Sequence, residues 1–500
     1  MEALQSPKKS RRPRNGVLIP GVVLILIVAS VGGVYTYQKL FPGPSCASPL
    51  GTAKMLTTQL QPPTTFGGVT EFALPTPIRA PNGVLVAPDG SVWFGEQAVE
   101  GLGHFFPQNR TLVEYAWPFS YPAPPSPGGL CGDKTDIWGI AIWDGKVWAS
   151  DPTGNQLVGL DPSNGDVTTV KLPTNSSFPY TLTSGPNGTL WFPELFSAKM
   201  GELSANGTLR EYPLPGGINA EPSQIVFANS TTGLYSDVGQ GADKGGVYSF
   251  NPAHFAPTLL GNQKLNDPSS LTIASGAVWV ALHGSSSIGC YNFTTKAWSY
   301  YPTTPVAWNP TTLPYFVDAN GSSVWFNEHY GNRIGLIDPT DGTLAEFSES
   351  SKSVVNGSLI GNTLTFGLGG SKAWFTEWTG NVLGYVDASY NPGFSTSVSG
   401  NSTLVVPSGS NASVTFVVHD TTHTGPLSLT FADSESLTSV PSNLTFSAPS
   451  NSFSPPQGGD SSVKVTVAAK SIAPGTYTAI LTVSDGLTFE SSFVKIVVPS

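Results

Sequence analysis

The stretch Gly185-Pro186-Asn187-Gly188-Thr189-Leu190-Trp191-Phe192-Pro193-Glu194 contains the phrase that decides the fold, and the phrase returns along the chain. Its seven versions are SVWFGE (91–96), KVWASD (146–151), TLWFPE (189–194), GLYSDV (233–238), AVWVAL (277–282), SVWFNE (323–328) and KAWFTE (372–377). The central aromatics Trp93, Trp148, Trp191, Tyr235, Trp279, Trp325 and Trp374 recur about every 45 residues, the period of a four-stranded propeller blade. An apolar-Gly step follows in several units (Met200-Gly201, Ile288-Gly289, Ile334-Gly335, Leu383-Gly384), and then an aromatic tail such as EYPLP (211–215). Alternating apolar residues between Gly, Asn and Pro turns predict strands, so each unit reads as an antiparallel meander a–b–c–d. One meander cannot bury both faces, whereas seven packed radially can. The expected fold is all-β: a seven-bladed β-propeller over residues 65–392.

Blade seven lacks a d strand after NVLGYVDA (381–388), and the missing phrase stands before blade one as Glu71-Phe72-Ala73-Leu74-Pro75. Pairing that segment into blade seven closes the circle and removes two exposed sheet edges.

Composition divides the remainder. Residues 1–15 read as a basic cytoplasmic tail (Lys8, Lys9, Arg11, Arg12, Arg14) and 16–38 as an uncharged apolar run long enough for a transmembrane helix. Residues 39–64 read as a Pro-containing stalk. This organisation predicts a single-pass membrane protein with its C-terminal domains outside the cell. Residues 393–500 are rich in Ser and Thr, contain no Trp or Cys, and read as an Ig-like β-sandwich, separable from the propeller. Charged residues make up 11% of the chain and the net charge is −10; without a basic stripe, a nucleic-acid partner is excluded. The expected partners are the membrane and an external small molecule, glycan or protein. Of three cysteines, Cys46 and Cys131 are the expected disulfide pair, since both fall in loops.

Eleven N-x-Ser/Thr triplets begin at Asn109, Asn175, Asn187, Asn206, Asn229, Asn292, Asn320, Asn356, Asn401, Asn411 and Asn443. They are candidate glycosylation sites. Asn109, Asn187, Asn206, Asn229, Asn292 and Asn320 are assigned to the a–b/c–d face, which leaves the d–a/b–c face open. Onto that open face falls the residue three after the central aromatic: Glu96, Asp151, Glu194, Glu328 and Glu377, with Asp237 offset by one and Leu282 in blade five. His283 and His329 follow two of these positions. Such a ring of carboxylates and imidazoles suits cationic or sugar ligands, or a divalent cation. The competing reading makes the repeated acids structural bonds between or within blades.

The repeat resembles the streptogramin (virginiamycin B) lyases, most closely at Gly185–Glu194 and from Trp325 to Gly335. The resemblance implies the propeller fold and a Mg²⁺-assisted β-elimination that linearises a cyclic depsipeptide, with a base taking the α-proton. It places the family's histidines at a Pro-His step opening strand a. The positions matched here are Pro81-Asn82, Ile137-Trp138, Pro179-Tyr180, Pro222-Ser223, Pro268-Ser269, Pro310-Thr311 and Ser358-Leu359. None carries His. Glu221 before Pro222 echoes a metal-site step, so Mg²⁺ is expected only if the chain is lyase-like. The expectation is therefore a non-catalytic recognition propeller. The alternative is an enzyme with a relocated base, His283 or His329, beside Glu328 and Glu377.

Overall fold

A computed structural model describes residues 51–500 apart from 76–79, 98, 121–136, 241–244, 306–310, 340–341, 351–353, 356–357, 360–362, 434–442 and 457. Seven antiparallel meanders follow in order. Blade one runs over 81–116, two over 140–171, three over 183–213, four over 222–259, five over 268–302 and six over 314–348. Blade seven takes strands a–c from 366–387 and its d strand from Val69–Ala73. Strand a of each blade touches strand a of the next, from blade one through blade seven and back to one. The ring is closed as expected, with Gly384 opposite Glu71 and Leu383 opposite Phe72.

Local chemistry explains the repeat. Trp93, Trp191, Trp279, Trp325 and Trp374 are buried in clusters that extend from one blade to the next. The Phe after the Trp lies opposite the Gly of strand c: Phe94 with Gly103, Phe192 with Gly201, Phe326 with Gly335, Phe375 with Gly384. A Cβ on any of these glycines would overlap the ring, so the apolar-Gly step is a packing requirement.

The N-terminal part of the described chain corrects the expected stalk. Gly51–Thr52 pairs with strand d of blade two, Lys54–Gln59 with strand d of blade one, and Thr64–Phe66 with the closing strand of blade seven. Residues 51–66 thus strap three successive blades from outside. Their ladder uses main-chain groups, so the side chains of Lys54–Gln59 can stay largely exposed.

The expected single-pass membrane location is also corrected. No helix among the described residues is long and apolar enough to cross a membrane; these residues form strands and short 3₁₀ turns. The run 16–38 and the tail 1–15 lie outside the described residues, as do Cys46 and Cys131.

Beyond Phe394 two sheets face each other over a core that includes Phe394, Phe416, Val465, Leu481 and Ile496. This sandwich is not separate from the ring. Its last strand, Thr488–Val498, pairs with strand d of blade six, Phe347 opposite Thr488 and Thr343 opposite Ser492. Ala432 and Ile480 join the core between blades five and six, with Trp279, Phe326 and Leu344.

Candidate functional site

The repeated acids end strand b, and the b–c turn folds back over them. Gly331 and Gly380 leave the space into which the Glu328 and Glu377 side chains fold; a Cβ on either glycine would meet the carboxylate. Glu96, Asp151, Glu194 and Glu377 are fully buried, and Glu328 nearly so. Asp151 accepts from the Gly154 amide at 2.9 Å and the Gln156 amide group at 2.7 Å. Glu194 accepts from Ser197 Oγ at 2.8 Å. Asp237 accepts from the Glu221 and Gly239 amides at 2.7 and 3.1 Å. The expected open carboxylate ring is therefore corrected: burial removes these acids from solvent, and Asp151, Glu194 and Asp237 brace their own turns. Among the described residues, no group of three or more His, Cys, Asp or Glu could hold a metal ion.

Burial also sets their protonation. It pushes Glu194 up to about 7, with the Glu211 charge adding to the effect. Burial, with Asp237 and Asp267 nearby, raises Glu221 to about 7. Burial raises Asp318 to about 6. In blade six Arg333 Nη1 lies 3.7 Å from Glu328 and 3.5 Å from Glu346. Burial still holds both carboxyls above the usual range, because one cation is shared between two buried acids. Glu349, bonded by Thr363 Oγ1 at 2.9 Å, is raised by burial and by the charge of Glu377. This donor set does not fit Mg²⁺: its carboxyls are braced, shared with Arg333 or biased toward the protonated form.

The mouth of the ring is built by the residues opening strand a, and the structure corrects two of their positions. Pro314 pairs with Glu328, as Pro81 does with Glu96, Pro222 with Asp237 and Pro268 with Leu282. The blade-six step is therefore Pro314-Tyr315, not Pro310-Thr311. In blade seven Thr363 Oγ1 donates to the Thr376 carbonyl, as Ser269 Oγ does to that of Ala281. The step residue is Thr363; Ser358–Leu359 instead pairs with Val354–Val355. The seven step residues are thus Asn82, Trp138, Tyr180, Ser223, Ser269, Tyr315 and Thr363.

Tyr180 and Tyr315 belong to blades three and six, and their hydroxyls are hydrogen-bonded to each other. The bond spans the ring from one side to the other. Trp138 packs on this bridge, its ring 4.9 Å from Tyr180 and 6.3 Å from Tyr315. Phe178 and Phe196 continue the apolar floor. Trp138, Phe196 and Tyr315 are half-buried and form its accessible surface.

Both candidate histidines border the bridge. His283 is buried, and its ring lies 5.4 Å from Tyr315 and 6.2 Å from His329. Its Nδ1 lies 2.9 Å from Asp267 Oδ2. His329 lies 6.0 Å from Tyr315 and 5.4 Å from Tyr330, and its amide donates to the Leu313 carbonyl at 3.0 Å. Sequence reasoning missed Asp267 and Tyr315. A signal for Asp267 was present: Asp267-Pro268 repeats the acid-Pro step of Glu221-Pro222.

The triplets at Asn109, Asn187, Asn206, Asn229, Asn292 and Asn320 lie at a–b or c–d turns, where the strand assignment put them. Asn109, Asn206, Asn229, Asn292 and Asn401 accept from the amide two residues on, a turn role that already explains each Asn. Asn175, Asn187, Asn320, Asn411 and Asn443 are exposed, and Asn356 lies outside the described residues.

The model of the virginiamycin B lyase family matches residues 53–244. A virginiamycin B lyase of Nocardia farcinica is 29% identical over 154 residues, 31% of this chain and 48% of that protein. The chain thus spans about half the length of the curated relative it matches. A solved streptogramin B lyase superposes with a TM-score of 0.51 at 23% identity, covering 63% of this chain and 96% of that one. The Staphylococcus aureus virginiamycin B lyase gives 0.51 at 20%, covering 64% and 98%. A catalytically inactive variant of that enzyme, solved with quinupristin, gives 0.51 at 19%, covering 64% and 98%. At these identities the solved structures share the fold with this chain.

Proposed function

We propose that this chain, in which residues 53–244 carry virginiamycin B lyase family homology, acts in recognition: it holds a small ligand at the mouth of its propeller without the family's elimination. The observation that carries the reading is the Tyr180–Tyr315 bond across the mouth, at two of the steps where the resemblance calls for histidine. With Asn82, Trp138, Ser223, Ser269 and Thr363 at the other five steps, no imidazole stands where the family's base would. The half-buried faces of Trp138, Phe196 and Tyr315 offer apolar area in rigid rings, which suits binding at low entropic cost.

A second reading rests on one observation, the Asp267–His283 contact. A carboxylate on Nδ1 fixes the imidazole in the orientation and tautomer of a general base. The first reading is preferred because His283 follows the end of strand b in blade five, away from the strand-a steps where the resemblance places the base.

Trp138 supplies the test. Titration with quinupristin, followed by tryptophan emission, should give a saturable change in the intact chain that Trp138→Phe removes. No change, or an equal change in the variant, would place the ligand elsewhere and defeat the reading.

A further inference from the structure

We infer that the mouth selects an organic ammonium, a ligand with N–H donors on an apolar or flat body; the inference rests on the recognition reading above. Three observations meet at one side of the mouth.

The first is a bare lone pair. With Asp267 accepting at Nδ1, the neutral His283 ring keeps its proton there, and Nε2 becomes an acceptor. His283 is only 2% exposed, and its Nε2 is buried with no hydrogen-bond partner. A buried acceptor left without a donor destabilises the site, and a ligand N–H would satisfy it.

The second is a gathering of carboxyls. Asp267 is followed by Pro268 and Glu221 by Pro222, so both acids stand just before strand a of neighbouring blades. The groups facing Glu221 are Asp237 from strand b of its own blade and Asp267 from blade five, both repelling its charge, together with the Gln240 amide. Lys264 acts on Asp237 and donates to Tyr248 Oη at 2.9 Å.

The third is the floor. Tyr315 connects the two halves of the mouth, its ring 5.4 Å from His283 and 6.3 Å from Trp138. Aromatic faces attract a cation and accept the apolar part of its body. A carboxylate ligand would meet repulsion here, and a neutral alcohol would leave the acids unanswered.

Benzylammonium is the probe, with benzyl alcohol and benzoate as controls, read through the emission change that Trp138→Phe removes. At pH 8 the ammonium should bind at least tenfold tighter than benzyl alcohol, and benzoate should not bind. Binding should strengthen between pH 6 and 8, because the ligand favours the ionised Glu221 carboxyl that burial holds near 7. His283→Phe should weaken the ammonium at least tenfold. Asp267→Asn and Glu221→Gln, which keep side-chain volume, should do so severalfold and guard against a misfolded His283 variant. Equal binding of benzyl alcohol, or full ammonium affinity in Asp267→Asn and Glu221→Gln, would overturn the inference. If quinupristin changes Trp138 emission and benzylammonium does not, the ligand class alone is wrong. If neither does, the recognition reading fails with it.

Discussion

A chain ending at residue 392 should fail to give a soluble monomer, or should melt far below the full chain. This reverses the expectation of a separable C-terminal module. Removing the sandwich strips Thr488–Val498 from strand d of blade six, leaving its backbone unpaired from Thr343 to Phe347, an exposed aggregation edge. It takes Ile480 and Ala432 out of the core between blades five and six, and Phe493 from its edge-on contact with Tyr301 at 5.1 Å. Burying one large apolar side chain contributes about 1.5–3 kcal/mol, so the loss is on the order of 5 kcal/mol before the polar contacts are counted. Those contacts matter as well. Phe489 lies 3.8 Å over the Arg333 guanidinium, and Thr482 bonds Thr304 at 3.1 Å and Ser491 at 2.8 Å. Without the sandwich the shared Arg333–Glu328–Glu346 group opens to water. Size-exclusion chromatography and thermal melting of the two chains check this. A truncated propeller that melts with the full chain would show that the junction carries no stability.

The protein should be more stable at pH 5 than at pH 8.5, with a fall in Tm of roughly 5–10 °C across that range. Burial raises the carboxyls of Glu194 and Glu221 to about 7 and Asp318 to about 6. Glu328, Glu346 and Glu349 move the same way. A carboxyl raised in the folded state binds its proton more tightly there than in the unfolded chain. Its stabilisation is complete below the unfolded value near 4 and is lost as pH rises through the folded value. The window therefore runs from about pH 4.5 to 8. His104 works in the opposite direction at the acid end: burial lowers it to about 4, so its contribution fades as pH falls from about 6.5 toward 4. The depressed carboxyls Asp161 and Asp387 are largely exposed and screened by water. A pH series of melting curves checks the sign; greater stability at pH 8.5 would mean that the buried acids are ionised and paired.

The ring was readable because each blade repeats one packing problem, a Trp between blades and a Phe against a strand-c glycine. The closing strand was readable because its phrase was missing from one end and present at the other. The strap at 51–66 was not. Lys54–Gln59 is exposed along nearly its whole length, so no alternation betrays it, and its partner strand begins at Thr111. The docking of Thr488–Val498 was hidden for a similar reason, since edge pairing uses backbone groups common to all residues. At the mouth, the spacing from Trp325 to Glu328 is fixed within strand b, whereas the loop before strand a varies. That variation carried the blade-six step from Pro310 to Pro314 and concealed Tyr315. The carboxylates were found at the correct positions but not their burial: the sequence repeats them without recording that Gly331 and Gly380 let Glu328 and Glu377 fold inward.

The measurement that bears most directly on the recognition reading is product analysis of quinupristin incubated with the intact chain and Mg²⁺. Elimination opens the ring without changing mass and leaves a new alkene, whereas hydrolysis adds one water. Chromatography with proton NMR therefore distinguishes both outcomes from intact cyclic ligand. Recovery of the cyclic depsipeptide unchanged, alongside the Trp138-dependent emission change, is the predicted result. Appearance of the linear alkene, and its loss in His283→Ala, would contradict it and identify His283 as a working base.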